Sequence, residues 1–211
     1  WADRSRATRR RRSIPKIFAP CQTRTGIPPA IADAVAAGAK RVRFAEVDLR
    51  RIEDLAPEEV IAGSPAWKES REQLRRKYRT FTDVMSLADY DGIVLGSPTR
   101  YGIMSAELKS VLDQTGPLWQ KGALANKVGS AFTSVKTPHG GHETTLWSIM
   151  TPMANLGMII VPPGYTDPAA FEGGSPYGAT AITGSAPPSE ADLTVARSQG
   201  ERVATVVEWV T

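Results

Sequence analysis

Four residues with chemically useful side chains, Ser, Thr, Arg and Tyr, lie in the string Ser97-Pro-Thr-Arg-Tyr-Gly102, which directly follows the apolar run Gly92–Gly96. Arg100 and Tyr101 place a guanidinium beside an aromatic face, a combination that can flank a flat conjugated ring. An apolar run bounded by Gly and Pro is typical of a central strand in a parallel sheet, and such sheets bind ligands beyond the carboxyl ends of their strands. We therefore predict a ligand-binding loop at residues 98–102; an ordinary turn is the alternative.

A second candidate loop, Thr23-Arg24-Thr25-Gly26, stands between a short strand and an Ala-rich helical run. The first backbone N–H groups of a helix lack partners within the helix and, with the positive end of its dipole, attract phosphate. Hydroxyl groups of the two threonines can add donors. We predict an anion-binding loop here, and the alternative is that Thr and Gly only cap the helix.

A third candidate loop runs from Ser134 to Thr145 and contains Gly140-Gly141. Its composition is typical of a flexible loop that leads into a helix. His139, His142 and Glu143 would allow a metal site, but the sequence offers no obvious third nitrogen or sulfur ligand. We therefore predict no bound metal.

The elements around these loops alternate between strand and helix patterns, which predicts a doubly wound, five-stranded parallel sheet with helices on both faces. Residues 50–83, rich in charge and interrupted by prolines, are predicted to make a partly helical excursion over the surface. Ser189 is the predicted N-cap of the last helix. The predicted strands are residues 16–19, 43–49, 92–96, 127–132 and 158–161, and the predicted helices are residues 31–38, 106–115, 144–156 and 190–207.

The charge of the chain is unevenly distributed. Its formal net charge is +4 over 211 residues, and six arginines lie within residues 4–12. We interpret residues 1–15 as a disordered basic extension and residues 16–211 as one domain; targeting or nucleic-acid contact is the alternative for the extension, and we regard nucleic acid as an unlikely partner. One cysteine excludes an internal disulfide, and no apolar stretch reaches the roughly 18 residues of a membrane span. We expect a cytoplasmic protein.

An ordered set of short strings resembles one family. The set is Ser97-Pro-Thr-Arg-Tyr-Gly102, Leu112-Asp-Gln-Thr-Gly-Pro-Leu-Trp119, His139-Gly-Gly-His-Glu-Thr-Thr145, Gly157-Met-Ile-Ile-Val-Pro162 and Gly174-Ser-Pro-Tyr-Gly-Ala-Thr180. Together they resemble the WrbA family of flavodoxin-like NAD(P)H:quinone oxidoreductases. The resemblance is dense from about Leu87 to Val207 and thinner back to Lys16.

The resemblance implies an FMN cofactor, NADH or NADPH as electron donor, a quinone substrate and a homo-oligomer, a tetramer in this family. It implies hydride transfer to the flavin and two-electron reduction of the quinone, with both substrates using one face of the ring. Trp119 would stand on the substrate side. The implied cofactor-binding residues are Thr23, Arg24, Thr25, Gly26, Ile27 and Pro28 at the phosphate, Thr99, Arg100 and Tyr101 at the ring, Ser134, Val135, Lys136, Thr137, Pro138 and His139 in the third flavin loop, and Leu156, where many members carry a histidine over the flavin.

The second candidate loop, at residues 23–26, departs from the family pattern. Ile27-Pro28-Pro29 follows Gly26, so two successive residues lack the backbone N–H that a phosphate oxygen would accept from. A lost charge-assisted hydrogen bond weakens binding by roughly tenfold to a hundredfold. The alternative function is therefore a flavodoxin-like protein with weakened or lost FMN binding that serves as a binding or assembly module.

Overall fold

The computed structural model describes residues 15–21, 27–184 and 186–211. Its strands are β1 (Lys16–Cys21), β2 (Glu46–Arg51), β3 (Arg79–Thr80), β4 (Gly92–Pro98), β5 (Val128–Val135), β6 (Ile159–Ile160) and β7 (Ala179–Ile182). Its α-helices are α1 (Ile27–Ala39), α2 (Glu58–Ala62), α3 (Pro65–Lys77), α4 (Ala106–Asp113), α5 (Gly116–Gln120), α6 (His142–Asn155) and α7 (Glu190–Val210). Short 3-10 helices cover Val84–Asp89 and Pro168–Phe171.

The strands form one sheet in the order β3-β2-β1-β4-β5-β6, with β7 also paired to β5, and every pairing is parallel. All residues of β4 and β5 are buried, because these strands lie at the centre of the sheet with helices on both faces. The predicted doubly wound parallel sheet is confirmed. The chain reverses its direction of winding between β1 and β4, the position at which sheets of this type bind ligands.

The predicted number of five strands is wrong, because the sheet has seven strands within the described residues. The two missed strands are β3, at the sheet edge, and β7, which extends along the second half of β5 beyond the two-residue β6. Strands of two to four residues carry too little hydrophobic alternation to be recognised. They form because the backbone of a longer neighbour offers unpaired groups.

Two apolar layers cover the sheet. On one face Ile17 and Ala19 of β1 pack with α1 and α7; on the other, Phe18 of the same strand packs with α4 and α6. This alternation is the period of a strand with both faces buried. Asp192 and Ser189 form a reciprocal capping box at the start of α7, which confirms Ser189 as N-cap.

Helices α1 and α7 cross in direct backbone contact. A Cβ atom added to Gly200 would lie 1.9 Å from the carbonyl oxygen of Val35, and one added to Gly38 would lie 1.8 Å from that of Arg197. Only glycine allows this approach, since any Cβ would overlap a backbone atom of the other helix. The crossing holds α1 against the sheet and so places its first turn.

In the part of the chain that the structure describes, no helix is both long and apolar enough to cross a lipid bilayer.

Candidate functional site

Two of the predicted loops leave neighbouring strands at the same edge of the sheet. The tyrosine loop, residues 99–105, follows β4, and the glycine loop, residues 136–141, follows β5; the last pair that joins these strands is Pro98 and Ser134. The connection between β1 and α1 begins at this carboxyl edge too, because Cys21 is paired with Gly96 of β4. Three connections therefore leave one edge of the sheet.

The tyrosine loop is a tight turn that presents an aromatic ring to solvent. The backbone N–H of Arg100 donates to the carbonyl of Ile103 at 2.8 Å, and the N–H of Ile103 donates back at 3.1 Å. The two central residues have positive φ, 53° at Tyr101 and 82° at Gly102, as type I′ turns require. Tyr101 is fully exposed. The fold therefore holds a non-glycine residue in an unfavourable conformation and presents its ring at the carboxyl edge.

A hydroxyl network joins the tyrosine loop to the glycine loop. The Thr145 hydroxyl, in the first turn of α6, lies 2.6 Å from the Thr99 hydroxyl. Thr99 Oγ1 donates to the Gly140 carbonyl at 3.3 Å and accepts from the Gly102 N–H at 3.2 Å. The Thr99 N–H donates to the Ser134 carbonyl at 3.0 Å. Thr99 is thus positioned as a brace between the loops.

The backbones of the two loops touch at a pair of glycines. A Cβ added to Gly141, whose φ is +84°, would lie 2.6 Å from the Cα of Gly102. The contact needs glycine both for the left-handed conformation and for the close approach. It fixes the distance between the two loops and therefore the width of any cleft that they border.

The predicted residues of the glycine loop fall into two groups. Ser134 and Val135 are the last two residues of β5 and are buried. Lys136, Thr137, Pro138 and His139 follow as exposed residues of the loop. Among the described residues, no group of three or more His, Cys, Asp or Glu side chains could hold a metal ion.

Residues Thr23, Arg24, Thr25 and Gly26 lie outside the described residues. Ile27 and Pro28 form the start of α1. Helices α1, α4 and α6 all begin at the carboxyl edge, so the positive ends of three helix dipoles face it. This arrangement favours an anionic ligand, although Pro28 and Pro29 remove two of the four free N–H groups of α1.

Two predicted site residues do not lie with the others. Leu156 follows the C-terminal end of α6, next to β6, which pairs with the first residues of β5. Trp119 lies on α5, before β5 begins, with 60% of its surface exposed. Both are at the amino edge of the sheet. Within one chain, neither side chain can contact a ligand held by the loops.

A charged cluster stands at the carboxyl end of β2, beside β1. The buried guanidinium of Arg51 contacts Glu53 and donates to the Thr80 hydroxyl at 2.7 Å, while Arg75 donates to Glu53 at 2.9 Å. The hydrogen bond from Arg51 and the weaker effect of the hydrogen bond from Arg75 lower the pKa of Glu53 to about 2. Burial raises the pKa of the neighbouring Asp54 carboxyl. The cluster anchors the segment that connects β2 to β3, residues 52–78, to the carboxyl edge of the sheet.

Several residues of this edge were missed from the sequence. Thr145, which lies within the predicted helix 144–156, has no predicted role in the site, yet it is fully buried against Thr99. Ile103 and Met104, just beyond the recognised string, line a cavity beside the tyrosine loop. A Thr in the first turn of a helix that follows a Gly-rich loop was a usable signal for Thr145, whereas nothing in the sequence indicates a cavity.

A cavity of about 390 Å³ lies at the opposite, amino edge, where Lys16 and Glu46 begin their strands. Its Asp48 accepts hydrogen bonds from Arg50 at 2.7 Å and Tyr90 at 2.6 Å. Burial, together with the bond to Asp48, raises the pKa of Tyr90 to about 12. These groups satisfy one another, and we assign them a structural role.

Comparison with known proteins gives a consistent family. Residues 21–171 match the model of the NADPH-dependent FMN reductase family. The chain is 44% identical over 182 residues to an NAD(P)H dehydrogenase (quinone) of Chromohalobacter salexigens, covering 82% of this chain and 88% of the relative.

Solved structures agree with the fold. A WrbA-like flavodoxin from Agrobacterium tumefaciens superposes with a TM-score of 0.67 at 22% identity, covering 93% of this chain and 99% of that one. Oxidised flavodoxin 2 from Bacillus cereus gives a TM-score of 0.60 at 19% identity, covering 91% and 99% of the two chains. At these identities the likeness establishes the flavodoxin-like fold alone.

Proposed function

Because the chain belongs to the NADPH-dependent FMN reductase family, we propose that it is an FMN-dependent NAD(P)H:quinone oxidoreductase. The relative at 44% identity bears the name of that activity. The observation that carries the proposal is the contact of the tyrosine and glycine loops through Gly102 and Gly141, at the edge where α1 begins. We place the reaction in the cytoplasm, where NAD(P)H is supplied.

The residues of the carboxyl edge fit a flavin mononucleotide. The flat ring would be bordered by Thr99, Arg100 and Tyr101 on one side and by residues 134–139 on the other. The Gly102–Gly141 contact leaves backbone where a side chain would intrude. Residues 23–28 would hold the phosphate at the start of α1, with fewer N–H donors than a helix without prolines provides.

Bound FMN would supply the chemistry of accepting a hydride from NAD(P)H and returning two electrons and a proton to a quinone. The residues of the chain itself would position the flavin and its substrates. Thr99 braces the two loops, the exposed ring of Tyr101 offers a stacking surface, and Arg100 adds a positive charge at the rim. The helix dipoles of α4 and α6 stabilise negative charge at this edge.

The proposal is tested with the purified full-length chain. We expect a yellow protein, or one that turns yellow when FMN is added, and NAD(P)H oxidation that requires an added quinone. Removal of FMN by dialysis against high salt should abolish turnover, and added FMN should restore it. A colourless protein that stays inert with FMN would contradict the enzyme and support the alternative of a binding or assembly module.

We also propose that the enzyme is a homotetramer in which one chain completes the site of another. Trp119 and Leu156, both implied to border the flavin or its substrate, lie at the amino edge and can reach the loops only from a second copy. The exposed Trp119 and Ile159 at that edge support an interface. Light scattering on the protein as it elutes from a size-exclusion column should give four times the chain mass of 22.8 kDa. A single-chain mass would remove both residues from the site.

A further inference from the structure

A cavity of about 580 Å³ lies beside the tyrosine loop, on the side of α4. Small-molecule sites in proteins span roughly 300–1,000 Å³, so the cavity has the size of a ligand site. Arg100 and Tyr101 border it, and the same two residues border the proposed flavin position. The cavity therefore adjoins the loop that would border one side of the flavin.

The interior of the cavity is apolar. Met104 is buried and Ala106 opens the first turn of α4 beside it, while Ile103 stands at the rim with 59% of its surface exposed. Ser148 is already engaged, since its hydroxyl oxygen accepts the Met104 N–H at 2.9 Å. An exposed isoleucine over a methionine floor is a surface that gains free energy when an apolar group covers it.

We propose that this cavity binds the apolar side chain of a quinone, so that the preferred substrates are alkyl- or prenyl-substituted quinones. The inference rests on the proposed oxidoreductase function and adds its substrate class. The quinone head would lie beside Tyr101, and its tail would run over Ile103 and Met104.

The apolar lining argues against the other substrate as the occupant of the cavity. The charges of the lining have both signs, since Arg100 and Lys109 accompany Glu107, which is 4% exposed, and they favour neither substrate. Ribose hydroxyls placed over Met104 and Ala106 would lose hydrogen bonds to water without gaining partners. An alkyl chain does not have this cost.

The experiment compares two ligands that differ only in the tail. Equilibrium binding of a ubiquinone headgroup without a tail, and of the same headgroup carrying a decyl chain, is measured by calorimetry on the FMN-loaded protein without reductant. We expect the decyl compound to bind at least about tenfold more tightly, since burial of two or three methylene groups suffices for that gain.

Two variants locate the tail. Ile103→Ser and, independently, Ala106→Glu should reduce the affinity ratio of the two quinones to about threefold or less. An acidic residue is tolerated in the first turn of a helix, so Ala106→Glu serves if Ile103→Ser folds poorly. Val210→Ser is the control, because Val210 ends α7 on the other face of the sheet; it should keep the wild-type ratio.

The outcomes separate the two proposals. Equal affinities for the two quinones, or a tenfold ratio that survives both variants, would overturn the cavity assignment while the oxidoreductase function stands. A change of oligomer mass in the variants with an unchanged ratio would assign the cavity to a second copy instead. If neither quinone binds nor is reduced, the proposed function itself fails.

Discussion

Gly200→Ala is expected to lower the thermal unfolding midpoint by several degrees. The added methyl group would lie 1.9 Å from the Val35 carbonyl oxygen and 3.0 Å from the backbone nitrogen of Ala39, so α1 and α7 must separate. Overpacking of this kind costs typically 1–3 kcal/mol and occasionally more, which exceeds the roughly 1 kcal/mol that Ala gains over Gly in a helix. A net loss of about 2 kcal/mol corresponds to roughly 4–8 °C in a domain of this size.

Differential scanning calorimetry measures this effect, and Gly116→Ala is its matched control. A Cβ at Gly116, the first residue of α5, meets no atom within 4 Å, so its unfolding midpoint should stay within about a degree of wild type. If Gly200→Ala unfolded at the same temperature as Gly116→Ala, the close crossing of α1 and α7 would be disproved.

Gly141→Ala is expected to weaken FMN binding by at least about tenfold while the protein remains folded. Alanine at a φ of +84° is strained by roughly 1 kcal/mol or more, and its Cβ would lie 2.6 Å from the Cα of Gly102. The tyrosine and glycine loops must then separate, which breaks the hydrogen bond from the Thr99 hydroxyl to the Gly140 carbonyl. Quenching of FMN fluorescence during titration measures the dissociation constant.

The control for Gly141→Ala is Gly164→Ala. Gly164 also has a positive φ, +61°, but the nearest atom to its added Cβ is 3.8 Å away, on Thr166. The control therefore carries the backbone strain without the loop contact and should leave the FMN dissociation constant within about twofold. Equal FMN affinities in the two variants would show that the meeting of the loops does not set the cofactor site.

The strands that the sequence predicts well are those with strong local signals. β4 is an apolar run bounded by Gly and Pro, β5 combines apolar with small residues, and Ser189 after two prolines is a recognisable N-cap. The predicted start of β2, Arg43, lies three residues before its observed start, Glu46, because Phe44 extends the apolar alternation although its φ is +67°. Periodicity reports side-chain type and cannot detect a left-handed backbone.

The residues of the candidate site also fall into those that the sequence predicts and those that only the structure reveals. Thr99, Arg100, Tyr101 and the glycine loop could be found from the sequence because a loop after a buried strand in a parallel sheet has only one edge at which to lie. The role of Thr145 and the cavity at Ile103 depend on contacts across more than forty positions of chain. Such contacts leave no local pattern.

The sequence by itself determined which loops leave the strands and which kind of chemistry their residues can support. Only the tertiary structure decided how closely the two loops approach each other, because that distance follows from the backbone contact between Gly102 and Gly141. It also separated Trp119 and Leu156 from the loops, since α4 and α6 run from the carboxyl edge to the amino edge of the sheet. Residue types are local, whereas the edge of the sheet at which a residue lies is set by the direction of the helix that carries it.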